Sequence, residues 1–320
     1  MRGGAAERGI SRAASSRAFR AFVALEGEGI VAVLRGPLWR VVRRVAVGAG
    51  PHNAAASPDG RYVAVSLPPV DRVAILRSST GRVVARPRLA GRPHDVAFTR
   101  DGRTLWVSAE RANRVVQLSV PSGRVLRSLP AAGPPHDLRV APDGRELWVT
   151  LDGTDRVEVR AARDGRLRGR PALGNAPHDL AFEPAGRRVW FSNWSSSVLT
   201  IASTGSRRRL GAVAAGSEPH HFAFALGCLW VSDNAGGSIV RIAPRSRRVL
   251  GRTRVGPAPH HVASAGRNVL VAVHGSGRVV ALRGGGKPSA SVRVGAGPHG
   301  IAAVPMIRTR GSGDSPPRCR

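Results

Sequence analysis

The sequence predicts an all-β chain, a seven-bladed β-propeller of four-stranded antiparallel blades. Three observations predict it. A Pro-His pair returns at nearly constant intervals, and a bulky apolar residue follows it at a fixed distance. Short Val-, Leu- and Ala-rich runs are punctuated throughout by turns, with 39 Gly and 24 Pro among 320 residues. A unit of about 40 residues that cannot bury its own faces and recurs in tandem is the signature of a propeller.

The repeat histidines are His52, His94, His136, His178, His220, His260 and His299, at successive spacings of 42, 42, 42, 42, 40 and 39. They account for seven of the ten histidines in the chain. Each opens a first apolar run, strand A. A PDG-type turn follows, then strand B with its bulky position at Trp106, Trp148 and Trp190, and at Ala64 in the first complete copy. Where the turn is two residues shorter the same position is Trp230 or Leu270. A Gly- or Asp-containing turn leads to strand C, as in "DRVAIL". A turn such as "STGRVV" leads to strand D and the next Pro-His pair.

Blade number follows from the chain ends. Residues 21–49, with Phe22 in the bulky position, supply strands B, C and D of a blade that lacks strand A. The "PHGIAAV" of residues 298–304 is a strand A with nothing after it. Six complete units and this split one make seven blades, and pairing the two ends closes the ring and removes its free edges. Residues 20–305 therefore form one domain. Residues 1–19 are expected to be a disordered basic tail and 306–320 a second disordered tail.

The phrase "PHDVAFTRDGRTLWVSAERANRVVQLSVPSGRVL" resembles the YVTN-type repeat of seven-bladed propellers over residues 21–304. The resemblance implies the fold and favours an exported or cell-surface protein, although no signal peptide is legible in the chain. A second phrase, "PHDLAFEPAGRRVWFSNW", is similar to the streptogramin lyases of the virginiamycin B lyase kind, in which a Pro-His histidine and a carboxylate act at the channel mouth. The carboxylate position is Asn193 in that copy and Asp233 one blade later. This resemblance implies His220 and Asp233 as an acid-base pair, with His260 and a divalent ion beside them.

Formal net charge is +30, and Lys287 is the only lysine among 50 basic residues. The A-to-B and C-to-D turns share one face, which collects arginine from both sets of turns, Arg61, Arg103, Arg145 and Arg187 among them, and could attract an anionic polymer. Nucleic acid ranks behind this because stacking aromatics are scarce, Tyr62 being the only tyrosine. Cys228 reads as a small core residue and Cys319 as part of a polar tail; two cysteines make no disulfide framework. No apolar run reaches the roughly 18–20 residues of a membrane span. Nothing calls for an oligomer, so a monomer is expected.

The D-to-A approaches place the Pro-His pairs around the channel mouth on the opposite face. A role repeated in every blade has an architectural explanation, an imidazole bridging one blade to the next, as the WD-repeat propellers resemble. The residue after each histidine varies: Asn53, Asp95, Asp137, Asp179, His221, His261 and Gly300. That variation breaks sevenfold symmetry in one sector. Asp179, His220, His221, His260 and His261 are accordingly the candidate metal ligands, suited to Zn, Cu or Mg. Alternation along a strand predicts that neighbours such as His220 and His221 point apart, so that not all five meet. His274 could add a ligand, and Trp39 and Trp194 could be exposed near one. The expectation is a propeller that presents its His/Asp face to a small-molecule ligand or partner protein. The alternatives are a lyase using His220, Asp233 and His260, and a copper or zinc centre in the histidine ring, resembling in outline the nitrous oxide reductase propeller.

Overall fold

The computed structural model describes residues 19–306 apart from 175, 194 and 195, together with Cys319. It forms seven four-stranded antiparallel sheets. Six are continuous in sequence: blade 1 at residues 54–85, blade 2 at 93–130, blade 3 at 135–169, blade 4 at 177–214, blade 5 at 219–254 and blade 6 at 259–293. Blade 7 takes strand A from Pro298–Pro305 and strands B to D from Phe19–Leu25, Ile30–Arg35 and Arg40–Ala46. The closing pair runs antiparallel with Phe22 opposite Ala302, as the end-to-end argument requires.

The core is seven apolar clusters, one at each blade-to-blade interface, and the bulky strand B position serves each in turn. Phe22 sits between blades 7 and 1. Trp106 lies between blades 2 and 3, Trp148 between 3 and 4, Trp190 between 4 and 5, and Trp230 between 5 and 6. Leu270 fills the 6/7 interface. All six side chains are 0% exposed. Where Ala64 stands instead, Tyr62, Phe98 and Leu105 supply the missing volume. Each of the four indoles finds an acceptor, as when Trp106 donates to the Ala162 carbonyl at 2.8 Å. Trp39 packs in the core at 3% exposure and not near a ligand; Trp194 lies outside the described residues.

Strand A carries an irregularity that positions everything at the channel. In blade 3, Pro135 pairs with Leu151 and Leu138 with Val149, so His136 and Asp137 together oppose the single residue Thr150. The same two-against-one bulge recurs in blades 2, 4, 5 and 6. A bulge cancels the alternation of a strand locally, so both the histidine and its successor turn toward the channel. Their backbone groups are satisfied by the opposing hydroxyl. Ser108 accepts the Asp95 amide at 2.9 Å and donates to the His136 carbonyl of the next blade at 2.6 Å. Ser66 and Thr150 repeat the bridge. In blade 7 the opposing residue is Ala24, with no hydroxyl, and the Gly300 amide donates directly to the His52 carbonyl at 2.8 Å. A Cβ at Gly300 would stand 2.4 Å from that oxygen, which explains the glycine.

Cys228 is buried as expected, but it is disulfide-bonded to Cys319, a pairing that sequence reading did not make. Of the two expected tails, residues 1–18, 307–318 and 320 lie outside the described residues; Phe19, expected in the first, opens strand B of blade 7. Among the described residues no helix is long and apolar enough to cross a membrane.

Replacing Ser108 by Ala leaves a buried amide and a buried carbonyl without their partner. Urea unfolding of the S108A variant is expected to show a loss of about 1–3 kcal/mol with an unchanged m-value. A loss below about 0.5 kcal/mol would show that the bridge is not what holds the bulge.

Candidate functional site

The seven repeat imidazoles form a closed ring. Consecutive ring centroids are separated by 4.7, 3.9, 4.4, 4.5, 4.3, 3.7 and 3.7 Å, starting from the His52–His94 pair and ending at His299–His52. At these separations the rings touch and narrow the channel on the D-to-A face. Beneath them lies the layer of successor residues, all brought inward by the bulge.

That second layer is polar and asymmetric. Asn53 donates to Asp95 at 3.1 Å and, more weakly, to Asp137 at 3.4 Å. His221 Nδ1 lies 3.2 Å from Asp179 Oδ2, and His221 and His261 stack with centroids 3.6 Å apart. His221 is the hub. It shares a donor cluster with His178 and His220, another with His260 and His261, and a third with Asp137 and Asp179, the donor atoms of each lying within 4.8 Å. The expectation that alternation would keep His220 and His221 apart is therefore corrected: their rings are 4.6 Å apart because the bulge turns both inward.

One residue escaped sequence reading. Three positions after each repeat histidine stand Ala55, Ala97, Arg139, Ala181, Ala223, Ala263 and Ala302. Six blades carry alanine and blade 3 carries arginine. Arg139, on blade 3, links its two neighbours, pairing with Asp95 of blade 2 on one side and with Asp179 of blade 4 at 3.2 Å on the other. Aligning the copies at this position would have found it.

Burial decides the charge states. It pushes the Asp179 carboxyl up to about 8 despite Arg139, with Asp137 and Asp95 adding to the effect. It raises Asp95 as well, against the pull of Arg139. Burial works against the Arg139 charge too, yet Asp95 and Asp179 hold the guanidinium protonated. Burial alone would favour neutral Asp137, but the His136, His178 and His94 imidazoles around it keep its carboxyl well below the ordinary range. Burial likewise opposes a charge on His136, and Asp137 beside it reverses the balance and raises that imidazole. The other buried histidines are depressed mainly by burial, His220 to about 4. The layer thus holds a His136–Asp137 pair, a guanidinium between two carboxyls that favour their protons, and neutral imidazoles.

A cavity of about 560 Å³ runs from this layer to the far face. Asp95, Arg139, Asp179, His221 and His261 form its floor; Ala, Val and Phe side chains of the seven A strands form its wall. Its rim includes Pro58 and Pro184 in the A-to-B turns, where Arg61, Arg103, Arg145 and Arg187 are exposed. The accessible side of the floor is thus the arginine-rich face, while the histidine ring caps the other.

Asp233 lies elsewhere. Its carboxylate accepts the amides of Ser217 and Glu218, both at 2.9 Å, and of Gly236 at 3.3 Å, and Arg252 lies 3.4 Å away. These contacts shape the D-to-A approach of blade 5. His274 stands 3.5 Å from Glu26 at the outer rim and lines no part of the floor.

A profile described as "Lactonase, 7-bladed beta-propeller" matches residues 40–210. No curated protein matches the chain. Among solved structures, a candidate 6-phosphogluconolactonase from Bacteroides uniformis ATCC 8492 is 15% identical with a TM-score of 0.78, over 90% of this chain and 100% of that one. A candidate 6-phosphogluconolactonase from Bacteroides fragilis NCTC 9343 is 15% identical with a TM-score of 0.76, over 91% and 98%. Kuenenia stuttgartiensis hydrazine synthase is 16% identical with a TM-score of 0.71, over 79% and 89%. Identities this low speak for the fold alone.

Arg139→Ala removes the cation between two buried carboxyls. Asp179 already titrates far above its value in an unfolded chain, so its protonated form is the one the fold favours and stability falls as pH rises from about 4 toward 8. Without Arg139 the Asp95 and Asp179 carboxyls rise further and the fall runs on to higher pH. Thermal and urea unfolding of R139A should show a loss of about 3 kcal/mol at pH 8, the lower end for a broken buried pair because the side chain is 31% exposed to the cavity, and a clearly smaller one at pH 5. An equal loss at both pH values would contradict this account of the floor.

Proposed function

Because the chain belongs to the lactonase family of seven-bladed β-propellers, we propose that it binds a small molecule with an apolar body and an acyl-oxygen head in the channel cavity and hydrolyses a lactone ring at the floor. The observation that carries this reading is Arg139, a lone arginine in a position that is alanine in six blades, set between Asp95 and Asp179 at the end of an apolar-walled cavity. Such a combination, a mostly apolar cleft with a few convergent polar groups, is how small-molecule sites are built. The exposed arginines at the rim favour anionic ligands by raising their local concentration.

The chemistry follows from the floor. Water adds to the lactone carbonyl, its proton passes to the Asp179–His221 pair, the ring C–O bond breaks, and the pair returns the proton to the departing alkoxide. The product is a hydroxy acid. Asp179 and His221, 3.2 Å apart, can hold that proton between them. Arg139 carries a permanent positive charge that offsets the charge developing on the carbonyl oxygen. Alkyl-substituted γ- and δ-lactones are the probes. Wild type is expected to turn over at least one of them, and Asp179→Asn to lower kcat/KM by about 100-fold with KM little changed. Saturable binding of the hydroxy acid without turnover of any lactone would leave a binding propeller; the absence of both would overturn the reading.

Two further readings use other residues. The membership of His221 in three donor clusters favours a divalent ion held by imidazoles of the His220, His221, His260 and His261 group, with Asp179 in reach. Metal analysis of tag-free protein after incubation with Zn, Cu or Mg should then show one equivalent that a His221→Ala/His261→Ala double variant lacks; equal content in the two proteins would dismiss an ion at the floor. The likeness to streptogramin lyases supports His220, Asp233 and His260 as an alternative set at the outer mouth. It requires Asp233 to give up its amide partners before acting as a base.

A further inference from the structure

The outer rim of the histidine ring carries a second cluster that the cavity does not use. Glu26 lies in the B-to-C turn of blade 7, and its Oε1 stands 3.3 Å from His52 Nδ1. Its Oε2 stands 3.5 Å from Nε2 of His274, in the B-to-C turn of blade 6. Glu26, His52 and His299 can each turn one donor atom to within 4.8 Å of the others. His299 is 5% exposed, its Nδ1 has no hydrogen-bond partner, and its ring stacks on His52 at 3.7 Å. The other nitrogen of His52 is taken by His94 Nε2 at 3.0 Å, which fixes the ring with Nδ1 toward Glu26.

We propose that Glu26, His52 and His299, joined by His274, bind a divalent transition ion of the zinc class at the seam where the ring closes. The donor set is carboxylate and imidazole, the set such ions prefer over calcium or magnesium. Ligands about 2.0–2.2 Å from a tetrahedral ion lie roughly 3.3–3.6 Å from one another; Glu26 keeps that spacing to His52 through Oε1 and to His274 through Oε2, one carboxylate oxygen for each imidazole. His299, with a donor atom within 4.8 Å of those of Glu26 and His52, completes the set from the buried side. The fixed orientation of His52 by His94 is the outer-sphere support that metal-binding imidazoles use.

The placement gives the ion a task. Glu26 follows the first described strand of the chain, His299 begins the last, and His52 precedes blade 1. An ion held by all three would tie the N-terminal and C-terminal parts of blade 7 to each other and to its neighbour. It would bind the closed ring and not the opened one, stabilising closure by mass action.

The test is Co²⁺ and Zn²⁺ titration of the intact protein after chelator treatment, read by the Co²⁺ visible spectrum, by calorimetry and by thermal unfolding. Wild type is expected to bind with a d–d band typical of four-coordinate cobalt and to gain about 3–6 °C in Tm at a hundredfold excess of Zn²⁺ over Kd. Glu26→Gln should weaken binding at least 100-fold and abolish the Tm gain. His274→Ala, at a half-exposed position that folding does not depend on, should weaken it about 10-fold. The His221→Ala/His261→Ala double variant should keep this equivalent, whatever becomes of one at the floor. Absence of Tm gain in wild type, or affinity unchanged in both Glu26→Gln and His274→Ala, would overturn the proposal.

Discussion

The arrangement of the channel depends on one local departure from strand geometry, the pairing of two residues of strand A with one of strand B. Without it each histidine and its successor would point to opposite faces of their blade, one toward each neighbour, and the channel would hold a single polar layer. With it, two layers of side chains share the axis. An opposing Ser or Thr makes the departure tolerable by supplying a donor and an acceptor to backbone groups the bulge has displaced, and from Ser66, Ser108 and Thr150 it also fastens a blade to the next. Two blades lack the hydroxyl, with Ala272 and Ala24 in its place; in the second the successor is glycine and the backbones meet directly.

Burial then acts on the polar layers in a way that a list of residue types would not suggest. Ten histidines and several carboxylates might be expected to form a diffuse field of mixed charge. Desolvation instead neutralises most imidazoles and pushes Asp95 and Asp179 toward their protonated forms, leaving charge only where a specific partner repays it: on Arg139, and on the His136–Asp137 pair. The result is a floor with a localised cation and an acidic group that titrates near neutrality, under a cap of closely packed imidazole rings. The apolar wall sharpens this further, since the same groups in water would interact far more weakly.

Much of the architecture was legible in the sequence because propeller blades are repeats, and a repeat shows its slots by position alone. The spacing of the Pro-His pairs, the bulky strand B residue and the orphan strands at the two ends led to seven blades and to the closure that the structure has. The variation after each histidine also singled out a sector in which the structure brings His220, His221, His260 and His261 close together. What stayed hidden has physical causes. A bulge is a property of pairing between strands, and regular alternation misplaced His220 and His221. Arg139 was lost among 50 basic residues because only the histidine and its immediate successor were compared across copies. The accessible side of the floor depends on which end of the channel the imidazole ring fills, and the Cys228–Cys319 bond joins segments that only the folded chain brings together.

The seat occupied by Arg139 is one of seven that are equivalent by rotation about the channel axis, and the other six are vacant in the sense that alanine projects almost nothing into the space. Propellers of this kind are in effect dials. Moving a long polar side chain from one seat to another would turn the recognition pattern by a seventh of a revolution, disturbing only the methyl contact that each alanine makes with a neighbouring blade-to-blade core, and filling two seats would create a bidentate floor from the same scaffold. The path by which new specificities arise in such a ring is therefore short: a single codon change at an alanine seat, with no turn to rebuild.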